Sequence, residues 1–447
     1  MNELLRKNAL SAAVTMALMG GIGMGGMGAA QAAVNVQCAE DDDHDGIPPA
    51  DIYGNPLDLD DTDQEHVKCM HLTSGDGFAE MSDGHPAYTF GFADETGTDP
   101  SVVLTEGILA ARWPGPRIVL EQGDEFYLSL SNVGTVMRPD LFDPHTVHYH
   151  GFPNAATVFD GVPEVSIAIN MGSTLTYYYN VVEPGTFIYH CHVEATEHME
   201  MGMLANLYVH PLQDRIGIGG TEGAPNLATA APRFGGSGPT GYAYNDGDGT
   251  TAYDVEAPIQ VSGFDSNFHD AHIQVQPLPF ANLRTNYPQI NGRGYPDTVL
   301  DDVNTPADQV VMHPPRDTDG FLGEGAGTVL NNGDVSQDMG AGISVAAGGR
   351  VLLRLSNVSI DRFFTLTAPG LKMQIVGTGA RLARGVDGKN LYVDTTSVNF
   401  GGGETHDVII DTAGVAPGTY FLTAAEFYQM SNNTQLDGGL ITEIVVN

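Results

Sequence analysis

Positive charge is scarce in this chain. Lysine and arginine number 18 against 56 aspartates and glutamates, a formal net charge of -38 over 447 residues. Such a surface repels nucleic acid and anionic membranes and attracts cations or basic partners. Cysteine is also rare, with three residues, which excludes a disulfide-dense scaffold. Beyond the N-terminus, no segment approaches the roughly 18 uninterrupted apolar residues of a membrane-spanning helix. The acidity does not imply disorder, because 42% of the residues are hydrophobic and the apolar runs are regular.

The N-terminus reads as a signal peptide over 1–32. Arg6 and Lys7 form its basic start, a glycine-interrupted apolar run follows, and Ala30-Gln31-Ala32 is a small-residue cleavage site. The mature chain is therefore expected outside the cytoplasm: periplasmic, at the cell surface or extracellular, with no membrane span once the signal is removed. In an oxidising compartment Cys38 and Cys69 are expected to pair. Cys191 is then alone, and a lone thiol in an exported protein is buried, reactive or bound to a metal.

Residues 33–75 form an acidic, irregular segment. The stretch DDDHDG at 41–46 has the spacing of a calcium-wrapping loop, but Ile52 stands where such a loop ends in an acid. A solvated acidic loop is the better reading. From 76 to 212 the chain alternates apolar and polar residues in short runs bounded by turns, as β-strands do. Residues 213–250 are rich in Gly, Ala and Pro, a linker composition. A second β region fills 251–447.

The two β regions look like copies. EQGDEFYLSLSNVG (121–134) resembles AAGGRVLLRLSNVS (346–359), and VEPGTFIYHCH (182–192) resembles VAPGTYFLTAA (415–425). Short strands used twice argue for an all-β chain of two Greek-key sandwiches. The duplication is also an internal control. Thr423, Ala424 and Ala425 stand where the first copy has His190, Cys191 and His192. The fold does not need those three residues, so their presence calls for chemistry.

That chemistry is concentrated in two motifs. PHTVHYHG carries His145, His148 and His150, and HCHVEATEHMEMGM carries His190, Cys191, His192, His198 and Met203. In a strand, residues two apart share a face. His148 with His150, and His190 with His192, can therefore converge on one site. Cys191 points to the opposite face, towards His145, His198 and Met203. Two imidazoles, a thiolate and a thioether suit copper in an electron-transfer centre. Met199 and Met201 read as core residues, and His210, His313 and His406 are isolated.

The two motifs resemble those of the last domain of multicopper oxidases, the family containing laccases, which reads H-P-x-H-x-H-G and H-C-H-x-x-x-H-x-x-x-G-[ML]. INGRGYPDT (290–298) and GGGETHDVIIDT (401–412) are similar to segments of the same family's domains. The resemblance covers most of 76–447. It implies two cupredoxin-like sandwiches, 76–212 binding copper and 251–447 lacking copper ligands. It implies type 1 copper at His145, Cys191, His198 and Met203, type 2 copper at His148, and a type 3 pair at His150, His190 and His192. Cys191, His190 and His192 then form the catalytic electron path from a small reducing substrate or redox protein to dioxygen.

The chain departs from the family pattern in three places. Thr146 replaces a proline, and the segment between His192 and His198 is two residues longer. A trinuclear cluster takes eight histidines, whereas this chain has only two H-x-H pairs, both in the first copy. The missing ligands can come from scattered histidines such as His66, His71, His85, His269 or His272, from another protein, or from a second copy across a twofold axis. The last implies a homo-oligomer. The alternatives to an oxidase are a copper nitrite reductase-like enzyme and a non-enzymatic type 1 copper carrier.

Overall fold

The computed structural model describes residues 67–153, 156–300, 314–323 and 325–447, with positions 34, 36 and 38. The segment 1–32 expected to be a signal peptide, the 41–46 motif, His66 and His313 lie outside the described residues. Among the described residues, no helix is long and apolar enough to cross a membrane.

Alternation builds the first sandwich. In β4 (Glu125–Gly134), Phe126, Leu128 and Leu130 face the core. β4 pairs in parallel with β1 (Val67–Glu80), which pairs antiparallel with β2 (Pro86–Asp94). β6 (Thr174–Asn180) closes this sheet in the order β2-β1-β4-β6. The facing sheet runs β3 (Ile118–Glu121), β8 (Leu204–His210), β7 (Gly185–His190), β5 (His148–Tyr149). One apolar core fills the space between them and includes Tyr177, Tyr179, Tyr189, Cys191 and Met203. The Cys38–Cys69 disulfide ties the chain ahead of β1 to that strand, with Cα atoms 5.8 Å apart.

The second sandwich repeats this wiring. β9 (Val255–Phe264) and β12 (Arg350–Asn357) pair in parallel, as β1 and β4 do. β10 (Tyr287–Ile290) flanks β9. The opposite sheet contains β11 (Ile343–Val345), β13 (Phe364–Thr367), β16 (Ser397–Phe400), β18 (Gly418–Ala424) and β19 (Ile441–Val446). The first sheet continues through β17 (Thr405–Asp411) and β14 (Met373–Thr378), and β15 (Val393–Thr395) pairs with β14. The register repeats as well. His148 stands opposite His190 in the first copy, and Thr367 stands opposite Thr423 in the second.

The repeated Leu-Ser-Asn-Val has a structural reason. The Asn132 side chain donates to the carbonyls of Asp143 and Ile169, both 2.9 Å away, and accepts from Gly134 N–H. Asn357 does the same for Arg362, Phe400 and Ser359. In the first copy this amide fixes the loop that delivers His145.

The sandwiches are joined through β7, β12 and β17. Thr186 Oγ1 donates to Asp407 at 2.6 Å, and Thr405 Oγ1 donates to the Thr186 carbonyl at 2.9 Å. The single tryptophan, Trp113, stacks on Phe264 with centroids 4.0 Å apart and donates Nε1–H to Gln289 at 2.7 Å. Burying a side chain of this kind contributes about 3 kcal/mol. Residues 213–250 have the composition of a tether but do not behave as one. Tyr242, Ala243 and Tyr244 are buried, and Tyr242 N–H donates to the Asp214 carboxylate at 2.7 Å. Backbone hydrogen bonding lets a small-residue segment pack without an apolar stripe.

Candidate metal centres

The end of β7 separates two groups of side chains. Cys191 follows His190 with its thiol turned into the core, fully buried. Its Sγ lies 3.3 Å from His198 Nδ1 and 3.8 Å from His145 Nδ1. All three candidate donor atoms fall within 4.8 Å of one another. His145 is held by paired backbone hydrogen bonds to Ile169, 2.9 and 3.0 Å long. His198 sits on α1 (Ala195–Glu200). Met203 is buried beside them. Its carbonyl accepts from Cys191 N–H at 3.0 Å and its N–H donates to the His198 carbonyl at 2.8 Å.

Burial and the nearby His198 charge hold the His145 pKa well below the usual imidazole range. At His198 burial acts the same way, but its interactions and hydrogen bonds with Cys191 and Asp143 outweigh it and raise the pKa to about 10. A metal entering here must displace that proton. Two imidazole nitrogens and one sulfur, dry and preformed, fit type 1 copper, because soft sulfur with imidazole selects copper or zinc over hard cations.

The second group lies on the other face of the same turn. Carbonyl groups orient three of its rings. His148 Nδ1 meets the Asp160 carbonyl at 2.6 Å, His190 Nδ1 the Cys191 carbonyl at 2.7 Å, and His150 Nδ1 the Gly403 carbonyl at 3.3 Å. Each contact leaves Nε2 for the cluster, and the Nε2 atoms of His150 and His190 are 3.0 Å apart. Such outer contacts fix the tautomer and aim of metal-binding imidazoles. Burial, opposed by the Cys191 carbonyl and reinforced by neighbouring rings, lowers the His190 pKa to about 3. Its lone pair is therefore free at neutral pH.

His148, His150 and His190 offer donor atoms within 4.8 Å of one another. The His192 ring stacks on His190 with centroids 5.7 Å apart and meets His148 edgewise at 5.0 Å, beside this trio. The donor set fits one copper ion held by this chain. Among the described residues, no other imidazole packs against these four.

The scattered histidines are used elsewhere. His71 Nε2 lies 2.8 Å from Ser131 Oγ, and His269 Nδ1 lies 2.6 Å from the Tyr88 carbonyl. His85 faces Asp270 at 3.6 Å, and His272 binds Glu197 at 2.9 Å. His210 bridges Glu121 and Glu256 at 3.0 Å each. Sequence reasoning missed Asp160 and Gly403, which act through backbone carbonyls. It also missed Asp143, whose carboxylate lies 3.8 Å from His198 Nε2. Nothing in the spacing of the motifs marks any of them.

A sequence model of the multicopper oxidase family matches residues 100–214, and a second of the same description matches 295–447. Copper resistance protein A of Escherichia coli is 25% identical over 316 residues, 68% of this chain and 42% of that protein. Laccase abr2 of Aspergillus fumigatus is 30% identical over 130 residues, 29% of this chain and 21% of the laccase. The matched stretches thus span less than half the length of these curated relatives. A blue copper oxidase from Nitrosomonas europaea superposes with a TM-score of 0.55 at 20% identity, covering 85% of this chain and 86% of that one. That likeness shows a cupredoxin-like, mostly β fold. With the two family matches together covering more than half of the chain, one across the histidine clusters and one in the blank copy, the chain belongs to the multicopper oxidase family.

Proposed function

We propose that the protein is an exported copper-dependent oxidoreductase with a type 1 site joined to an inner copper site. One observation carries this reading. Cys191 touches both groups, with its Sγ beside His145 and His198 and its carbonyl on the His190 ring. Copper, when bound, supplies one-electron chemistry. The chain supplies the route, because the Cys191 thiolate, its backbone and the His190 imidazole are continuous. The protein's part is positioning, burial and hydrogen bonding rather than acid–base work.

The donor is a small reducing substrate or redox protein, and the acceptor is dioxygen. Asp143 and Glu194 gather carboxylates at the His198 edge, which suits a cationic donor. Two copies of the histidine face across a twofold axis supply the eight imidazoles of a trinuclear cluster. Copper should then drive association into dimers. A copper-loaded protein that stays monomeric at micromolar concentration refutes this completion.

A second reading rests on the three converging histidines, which suffice for a single inner copper. The copper nitrite reductase of Nitrosomonas europaea superposes with a TM-score of 0.50 at 14% identity. The inner site then reduces nitrite rather than dioxygen. Copper per chain, the visible thiolate band and the acceptor consumed separate the readings. Several coppers and oxygen uptake support the oxidase. Two coppers and nitrite turnover support the reductase. One copper and no turnover leave an electron carrier.

A further inference from the structure

The helix that carries His198 is weak by itself. α1 has six residues, and its N-cap Glu194 is left-handed (φ 47°) and makes no side-chain cap bond. Isolated helices shorter than about 12 residues are marginal in water. It also occupies the segment that is two residues longer than the family pattern. Something outside must fix it for His198 to face Cys191.

That support comes from the second sandwich. Between β9 and β10 the chain forms α2 (Ser266–Ile273), which lies against β2 of the first sandwich. Asp265 N–H, at the α2 N-cap, donates to Glu200 Oε1 at 2.8 Å. His272 Nε2 lies 2.9 Å from Glu197 Oε1. These two contacts bracket His198, one residue before it and two after. The fully buried Phe90 ring meets His272 edgewise at 4.8 Å and His198 at 5.7 Å, filling the space between them.

His272 also reaches the other imidazole. Its Nδ1 lies 3.0 Å from Arg138 Nη1, and the same guanidinium donates to the His272 carbonyl. Arg138 is locked by Asp140 through two bonds of 2.8 and 2.7 Å. It belongs to the loop between β4 and β5, which delivers His145. A guanidinium only donates, so Nδ1 accepts and the ring proton sits on Nε2, aimed at Glu197. The buried His272 imidazole thus joins the His145 loop to the His198 helix.

We propose that His272, supplied by the copperless second sandwich, is a positioning residue for the type 1 centre, setting the distance between His145 and His198 by linking Arg138 to Glu197. It touches no reacting atom and acts through those two residues. The proposal rests on the reading of His145, Cys191 and His198 as a type 1 site.

The test compares His272→Ala with His272→Gln in the full-length protein loaded with copper. Glutamine keeps one acceptor for Arg138 and one donor for Glu197. His272→Ala should weaken type 1 copper binding by up to about tenfold, below the roughly 10–100-fold cost of losing a group bonded directly to a metal ligand. It should also shift the type 1 reduction potential and the copper EPR splitting, while His272→Gln restores both towards wild type. If His272→Ala does not fold, Glu197→Ala opens the same link from a less buried position and should give the same shifts. Metal-free protein gives an independent readout, with α1 amides exchanging hydrogen at least about tenfold faster in the variant. Variants that lose only thermal stability, with unchanged potential, EPR and α1 exchange, overturn the proposal. A wild type without a thiolate–copper band overturns the type 1 reading itself, and the proposal with it.

Discussion

Gly403→Ala tests whether the second sandwich shapes the inner site. Gly403 has φ +86°, and a Cβ placed there lies 2.9 Å from His150 Cε1 and 3.0 Å from Nδ1. Ordinary contacts begin about half an ångström further out, so the ring must retreat by roughly that much. A functional imidazole tolerates about 0.5 Å of misplacement. The left-handed backbone adds about 1–3 kcal/mol of strain for a residue with a side chain. The contact with the Gly403 carbonyl, now 3.3 Å, is disturbed at the same time. Inner-site copper affinity should fall about 10–100-fold. The type 1 site lies on the opposite face and should keep its thiolate band. Gly414→Ala is the control, because it shares the positive φ (+78°) but has nothing within 4 Å of its Cβ. Copper titration with metal analysis, read beside the visible spectrum, measures both sites. The reasoning is refuted if Gly403→Ala binds inner copper as wild type does, or if Gly414→Ala loses it equally.

Three further outcomes are expected. Cys191→Ser should abolish the visible thiolate band while inner copper remains, checked by absorption and EPR on one sample. Reducing the Cys38–Cys69 bridge, which closes a sequence separation of 31, should cost about 3–4 kcal/mol, read as a lower melting temperature with reductant. His210 gives a pH dependence. Burial lowers its pKa, but hydrogen bonds to Glu121 and Glu256 outweigh this and raise it from 6.5 to about 9. Its contribution, up to about 3 kcal/mol, is therefore complete below pH 6.5 and is lost as pH rises through 9. The wild-type melting temperature should fall across that window more steeply than that of His210→Gln, and equal slopes would count against the bridge.

Much of this arrangement was legible in the sequence because it obeys short-range rules. Strand alternation put Cys191 on one face and His190 with His192 on the other; the Cys191 sulfur lies beside His145 and His198, and His190 lies with His148 and His150. The repeated Ser-Asn-Val and Pro-Gly-Thr segments announced two copies, and their sheets share one wiring, down to Thr367 opposite Thr423 where His148 faces His190. What stayed hidden depends on contacts between distant parts of the chain. Arg138 meets His272 across 134 positions, and His150 meets Gly403 across 253. A backbone carbonyl has no sequence signature, so Asp160 and Gly403 left none. The 213–250 segment misled for a related reason: its composition describes flexibility in isolation, whereas buried Tyr242 and Tyr244 and the Asp214 carboxylate pin it in place.

The central claim is that Cys191 joins two copper sites within this chain. Stopped-flow reoxidation of the type 1 band tests it most directly. Copper-loaded wild type, bleached by one reductant, should recover its colour when dioxygen is mixed in. His150→Ala and His190→Ala should keep the band but recover at least about tenfold more slowly, since the inner site accepts the electrons. Equal recovery in wild type and both variants would contradict the account.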